Sequence, residues 1–245
     1  MPGVDILAHL GAGEWRNTDA AELQRAAQRA RFDAVGVASR RALSGDLAGG
    51  NAEVKALVAE NALMRGWVVV NPVYPERSAE ELRKYASSPK WFGAMVHPGM
   101  TGESLASAAT RELLNAYRRY TKPLLVHVAN EQAARELETL ALEFNMLRII
   151  ALGCGGDDWQ ACAWVAKRAT NVFLEPFSGG PHRGKLEAIL AEIGHNRVVF
   201  AGNYPDSNPG AALGLWYDAK ISEAEKQAVL TTNAMRLFGL NRQAE

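Results

Sequence analysis

The sequence predicts an α/β fold, a single (β/α)8 TIM barrel over residues 1–245. Three observations lead there. Short apolar runs of strand-forming residues alternate with helix-sized segments, the pattern of parallel strands joined by helical crossovers. The runs are apolar almost throughout, as strands buried on both faces are. Eight such units fit within 245 residues, the size of one barrel. An open doubly wound sheet is the alternative, and it would usually carry a Gly-rich phosphate fingerprint after its first strand. Gly11-Ala12-Gly13 lacks the third glycine. No linker, low-complexity segment or charged tail breaks the pattern, so one domain is expected.

In chain order, the first run covers residues 4–7 and ends near His9. Asp19 and Glu22 have capping-box spacing and open a helix to about Arg31. Residues 34–38 are the second run, closed by Ser39. A helix is expected over 51–65, with Gly66 as its C′ glycine. The third run, 67–70, is closed by Asn71-Pro72, and Ser78 and Glu81 form a second capping box. The fourth, 92–96, is closed by His97-Pro98-Gly99. Leu105, Ala109, Leu113 and Tyr117 then form an i, i+4 stripe. Pro123 leads into the fifth run, 124–128, which carries His127 near its end and leaves through Asn130. Leu137, Leu140 and Phe144 mark one face of the next helix. The sixth run, 148–152, enters Gly153-Cys154-Gly155-Gly156, followed by a helix over 158–168. The seventh, 172–174, is closed by Glu175-Pro176; a helix over 184–193 follows, with Gly194 at C′. The eighth, 198–201, is closed by Gly202-Asn203. Ser222 and Glu225 cap a last helix to about Phe238.

The composition is 48% hydrophobic and 22% charged, with zero formal net charge. Bulk charge gives no reason to expect nucleic acid or an anionic membrane as partner. Cys154 and Cys162 form no CxxC and no disulfide framework, which suits a reducing cytosol. The apolar runs are far too short to span a membrane. Residues 1–10 are too short, and Asp5 comes too early, for a signal peptide. A cytoplasmic protein is expected.

In a barrel the strand ends converge on one mouth, where function gathers. That mouth would receive His9, Ser39, Asn71, His97, His127, Glu175 and Asn203, so three of the five histidines meet there. Imidazole and carboxylate together suit a borderline divalent ion such as zinc, which could lower the pKa of a bound water or polarise a carbonyl. The plain alternative is structural: buried imidazoles ordinarily find hydrogen-bond partners. Likewise Glu175-Pro176 could simply turn the chain and Asn203 cap a strand. The 153–156 glycines fit a turn or an anion-binding backbone. The tryptophans at 67, 91, 159, 164 and 216 read as packing.

Segments 93–99 (GAMVHPG), 123–127 (PLLVH), 171–175 (NVFLE), 197–205 (RVVFAGNYP) and 233–238 (NAMRLF) resemble the amidohydrolase-related family of metal-dependent hydrolases, which includes the aminocarboxymuconate-semialdehyde decarboxylase type. The resemblance runs over nearly the whole chain. Residues 4–11 resemble the family's opening D-x-H-x-H strand, with Leu7 in place of the first histidine and His9 as the second. His127 matches the fifth-strand histidine. Where the family has a histidine before its glycines, this chain has Ala151-Leu152-Gly153. The family's strand-eight aspartate is Asn203, a neutral amide that accepts no proton at neutral pH.

Two readings follow from the resemblance. One is a pseudo-enzyme, a binding or partner subunit that would pair with an intact family member or with itself. The other is a hydrolase or decarboxylase with a rearranged site, acting on a small carbonyl, amide, lactone or carboxylate compound. Its metal ligands would be His9 and His127 with Glu175, with or without His97, a two- or three-histidine, one-carboxylate set around zinc or another divalent ion. Its catalytic residues would be His97, His127, Glu175 and Asn203; a metal-free variant would use His97 or His127 as acid or base.

Overall fold

The structure is a computed structural model and describes residues 3–13 and 17–240. Seven of the expected runs become parallel strands. They are β1 Gly3–Ala12, β3 Phe32–Ser39, β4 Met64–Val69, β5 Trp91–Val96, β6 Leu124–His127, β7 Ile149–Leu152 and β8 Val172–Glu175. A two-residue strand missed by the sequence reading, β2 Asn17–Thr18, folds back antiparallel on β1. The resulting curled sheet has the order β2-β1-β3-β4-β5-β6-β7-β8. From β3 onward each strand lies beside the next in chain order, and the helices fill the crossovers.

Those helices are α1 Ala20–Ala30, α2 Arg40–Leu43, α3 Leu47–Glu60, α4 Pro75–Tyr85, α5 Pro98–Thr101 and α6 Ala108–Tyr117. Then follow α7 Glu131–Glu143, α8 Trp159–Arg168, α9 Lys185–Ile193, α10 Pro209–Asp218, α11 Glu223–Gln227 and α12 Asn233–Phe238. A π-helical turn, Ala228–Thr232, joins the last two. The buried residues fall into two clusters. Val37, Val68, Val126, Leu137 and Ile189 belong to the one shared by sheet and helices. Ile6, Leu7, Trp67, Leu125, Ile150 and Val199 belong to the other. Phe238 of α12 closes its far end, stacking on Phe92 at 3.9 Å and meeting Trp67 edge-on at 5.7 Å.

The eighth run differs from expectation. Residues 198–201 make no regular strand, yet they lie between β8 and β1. Val199 N–H donates to Leu174 O at 2.9 Å, Ile6 N–H to Phe200 O at 3.0 Å, and Asn203 N–H to Leu7 O at 3.0 Å. The pairing with β1 runs on past Asn203, whose φ is 49°, because His9 N–H donates to Tyr204 O at 2.7 Å; the contacts on each side are isolated bridges rather than a continuous ladder.

Helix ends were partly legible. Asp19 and Ser222 cap as expected, and Ser222–Glu225 forms the full reciprocal box. Gly194 ends α9 with φ 73°. Ser78 does not cap, because α4 starts earlier, on Pro75; its hydroxyl instead donates to Asn71 O and accepts from Asn71 N. Gly66 is no C′ glycine but part of β4. A Cβ there would lie 2.4 Å from the Trp91 ring, so the strand needs glycine for packing.

Tyr117 ties α6 to the sheet. Its hydroxyl accepts from Ala94 N–H at 2.9 Å and donates to Pro123 O at 2.7 Å. Tyr117→Phe leaves both groups buried and unpaired, so it is expected to destabilise by about 1–3 kcal/mol in urea unfolding. An unchanged midpoint would show that the bridge contributes nothing.

Candidate active site

Strand register decides what stands at the strand ends. His127 of β6 pairs with Leu152 of β7, and Leu152 with Glu175 of β8. One step past the Val96–Val126 pair, His97 follows β5, and its ring stacks on His127 with centroids 4.1 Å apart and planes 9° from parallel. On β1, His9 lies level with Ala38 of β3. His9 Nε2 meets Asn203 Oδ1 at 3.1 Å and Asp206 Oδ2 at 3.8 Å. Arg40, at the start of α2, forms an ion pair with that same Asp206. His9, Asn203, His97 and His127 therefore gather as two pairs.

The other expected mouth residues are committed to the backbone. Ser39 accepts from Ala42 N–H and caps α2. Asn71 accepts from Val73 N–H and closes a local turn. Glu175 is fully buried. Its carboxylate accepts from Phe177 N–H at 2.8 Å, Ser178 N–H at 3.1 Å and Gly153 N–H at 3.1 Å. It thus joins the turn after β8 to the glycine turn after β7.

Between these groups lie apolar ones. Leu7 is 0% and Leu152 3% exposed, both within the cluster that holds Trp67 and Val199. Gly153 carries a positive φ of 76°, and a Cβ there would sit 3.9 Å from His127 Nε2. A side chain at 153 would thus reach the imidazole, and this chain has none. Among the described residues no group of three or more His, Cys, Asp or Glu side chains is placed to hold a metal ion.

Burial sets the protonation. Desolvation pushes His97 down to about 3, helped by the neighbouring His127 and His9. It pushes His9 down to about 4, against the pull of Asp206, and lowers His127 as well. All three imidazoles are neutral at neutral pH, and the Nδ1 of each is buried without a hydrogen-bond partner. Asp5, whose carboxyl accepts from Leu7 N–H and Gly202 N–H, is raised by burial to about 7.

Sequence reasoning missed Asp5, Arg40 and Asp206 as parts of the site. Each had a weak signal: Asp5 opens the resembling strand, Arg40 follows a strand-end serine, and Asp206 follows Asn203 by three residues.

The pKa shifts make a signed prediction. The imidazoles titrate near 6.5 when unfolded and near 4 or 3 when folded for His9 and His97. Their contribution is complete above 6.5 and is lost as pH falls, by at most about 1.4 kcal/mol per pH unit for each group. Asp5 works the other way. It moves from 3.8 to about 7 on folding, so its contribution is complete below 3.8 and lost as pH rises. His97→Asn should therefore flatten the fall in stability between pH 6.5 and about 4, and Asp5→Asn should steepen it. Thermal melts across that range check both slopes; parallel curves for all three proteins would refute the assignment.

The comparisons agree with this architecture. Gamma-resorcylate decarboxylase of Rhodococcus jostii (strain RHA1) is 27% identical over 237 residues, covering 73% of this chain and 71% of that protein. The structure of 5-carboxyvanillate decarboxylase from Sphingomonas paucimobilis superposes with a TM-score of 0.79 at 13% identity, over 98% of this chain and 99% of that one. A dihydroxybenzoic acid decarboxylase from Polaromonas sp. JS666, with bound manganese and 2-nitroresorcinol, gives 0.77 at 17% identity, over 99% and 98%. The zinc expected from the sequence is not the ion in that relative. No helix among the described residues is long and apolar enough to cross a membrane. The sequence profile of the amidohydrolase family matches residues 18–240, and with most of its length inside that match the chain belongs to the amidohydrolase family.

Proposed function

We propose that this chain is a single barrel domain over residues 1–245, closed through residues 198–204, whose strand-end chamber takes a small carbonyl-, amide- or carboxylate-bearing compound without a divalent metal. On this reading it is a binding or partner subunit, self-associating or paired with an intact family member. The observation that carries the reading is the placement of Leu7 and Leu152, buried hydrocarbon beside the imidazoles. The donor set does not fit the manganese that the Polaromonas relative holds. His9 spends Nε2 on Asn203, Glu175 spends its oxygens on backbone N–H groups, and the two leucines offer no lone pair. What remains suits recognition: His97 and His127 can each offer a ligand one neutral hydrogen-bonding edge.

One observation favours a second reading, a metal-free hydrolase or decarboxylase with His97 or His127 as acid or base and Glu175 and Asn203 positioning the substrate. The stacked pair carries two buried Nδ1 atoms with no partner. Against it stands their protonation: an imidazole held near 3 has no proton to donate at neutral pH and is a feeble base.

Elemental analysis after reconstitution with manganese or zinc should find far less than one ion per chain. The double variant Leu7→His/Asn203→Asp should gain measurable affinity for the same ions. Stoichiometric metal in the natural chain, lost on His127→Ala or Glu175→Ala, would overturn the proposal in favour of the rearranged centre. For the second reading, carbon dioxide release or hydrolysis should change as pH falls toward the imidazole pKa values, growing if the imidazole is the acid and fading if it is the base; a flat profile at background level leaves binding as the function.

A further inference from the structure

Beside the end of β8, between the 176–184 loop and α10, lies a cavity of about 510 Å3, the size of a small-molecule site. Phe177, Leu186 and Leu215 form an apolar wall, and the cations Arg183, Lys185 and Lys220 outnumber the acids Glu187 and Asp218 around it. Residues of the first turn of α9 border the cavity, and no side chain caps that helix.

Lys185 is the anomaly. It is 4% exposed, and its Nζ has no hydrogen-bond partner. The groups facing it are Cys154, Glu175, Cys162 and Asp157. Each acid among them is occupied elsewhere: Glu175 by the backbone of Gly153, Phe177 and Ser178, and Asp157 by His182 at 3.0 Å. The thiol of Cys154 is pushed up by Cys162 beside it and by burial, so it carries no charge. A buried ammonium without an acceptor is costly, and proteins rarely keep one without use.

We propose that this cavity binds a small organic anion, an apolar body bearing one carboxylate or sulfonate, with Lys185 as its charge partner. The site adjoins the strand-end residues through Glu175, which faces Lys185 and accepts from Phe177 N–H, but it does not depend on whether those residues hold metal. The apolar wall takes the hydrocarbon. Lys185, the uncapped turn of α9, and Arg183 with Lys220 favour the acid group.

The test is calorimetric titration with 4-tert-butylbenzoate and with its neutral amide. The acid should bind and the amide bind at least about tenfold more weakly. Lys185→Met should lose that preference, and hydrogen exchange should slow at residues 177–187 and 215–220. Without ligand, Lys185→Met should melt at or above the natural protein, since it removes an unpaired buried charge. The proposal falls if the acid does not bind, if the amide binds equally well, or if the preference survives in Lys185→Met. It falls equally if protection is confined to segments 97–103 and 127–130, or if the ligand-free variant melts well below the natural chain, which would mean that Lys185 already has an internal partner.

Discussion

Parallel register is the constraint on which the site rests. Side chains alternate across a strand, so a slip of one residue would exchange every group at the strand ends for its neighbour on the opposite face. In the observed register His127, Leu152 and Glu175 stand in one row across β6, β7 and β8. The row brings together an imidazole, a hydrocarbon and a carboxylate that the backbone has already claimed. Polar residues at the strand ends are therefore not equivalent. Some meet one another side chain to side chain, as His97 and His127 do, and others, such as Glu175, hold the turns beside them.

Desolvation governs the rest of the chemistry. Imidazoles in a wet pocket titrate near neutrality and serve as proton shuttles. Here His9 and His97 are held near 4 and 3, so the neutral form prevails. The stacking of His97 on His127 excludes both rings being charged at once, because two imidazolium rings 4.1 Å apart would repel strongly. Asp5 moves in the opposite direction for the same cause, since burial disfavours whichever form is charged. The strand-end imidazoles carry no charge, and the opposite charges of Arg40 and Asp206 pair beside them.

Much of the fold was legible because it rests on local signals. Apolar runs such as 92–96 and 124–128 announce buried strands, and Ser222–Glu225 announces a cap, without knowledge of any distant residue. What failed depends on contacts across the chain. Gly66 looked like a helix stop, but the ring of Trp91 makes it a strand residue. Residues 198–201 looked like a strand, but they meet β8 and β1 only through single hydrogen bonds and isolated bridges rather than a continuous ladder. The site divides in the same way. That His9, His97 and His127 meet follows from strand ends in a parallel sheet. That Glu175 serves three backbone N–H groups, or that Arg40 reaches Asp206 across 166 residues, has no trace in sequence spacing.

On the proposed reading, the substitutions at the mouth depend on one another. A divalent ion at such a mouth balances the charge of an aspartate, and with the ion gone that carboxylate would be a half-buried anion left without its partner. An amide removes the charge and keeps an acceptor of the same shape. Asn203 uses it, with Oδ1 3.1 Å from His9 Nε2. The same logic applies to Leu7 and Leu152. Imidazoles there would need partners for two ring nitrogens each, in a space where His9, His97 and His127 already leave Nδ1 unpaired; leucine removes the demand and adds buried apolar area. Restoring one ligand alone should thus be worse than restoring none, because each polar group at this mouth is tolerable only with its counterpart present.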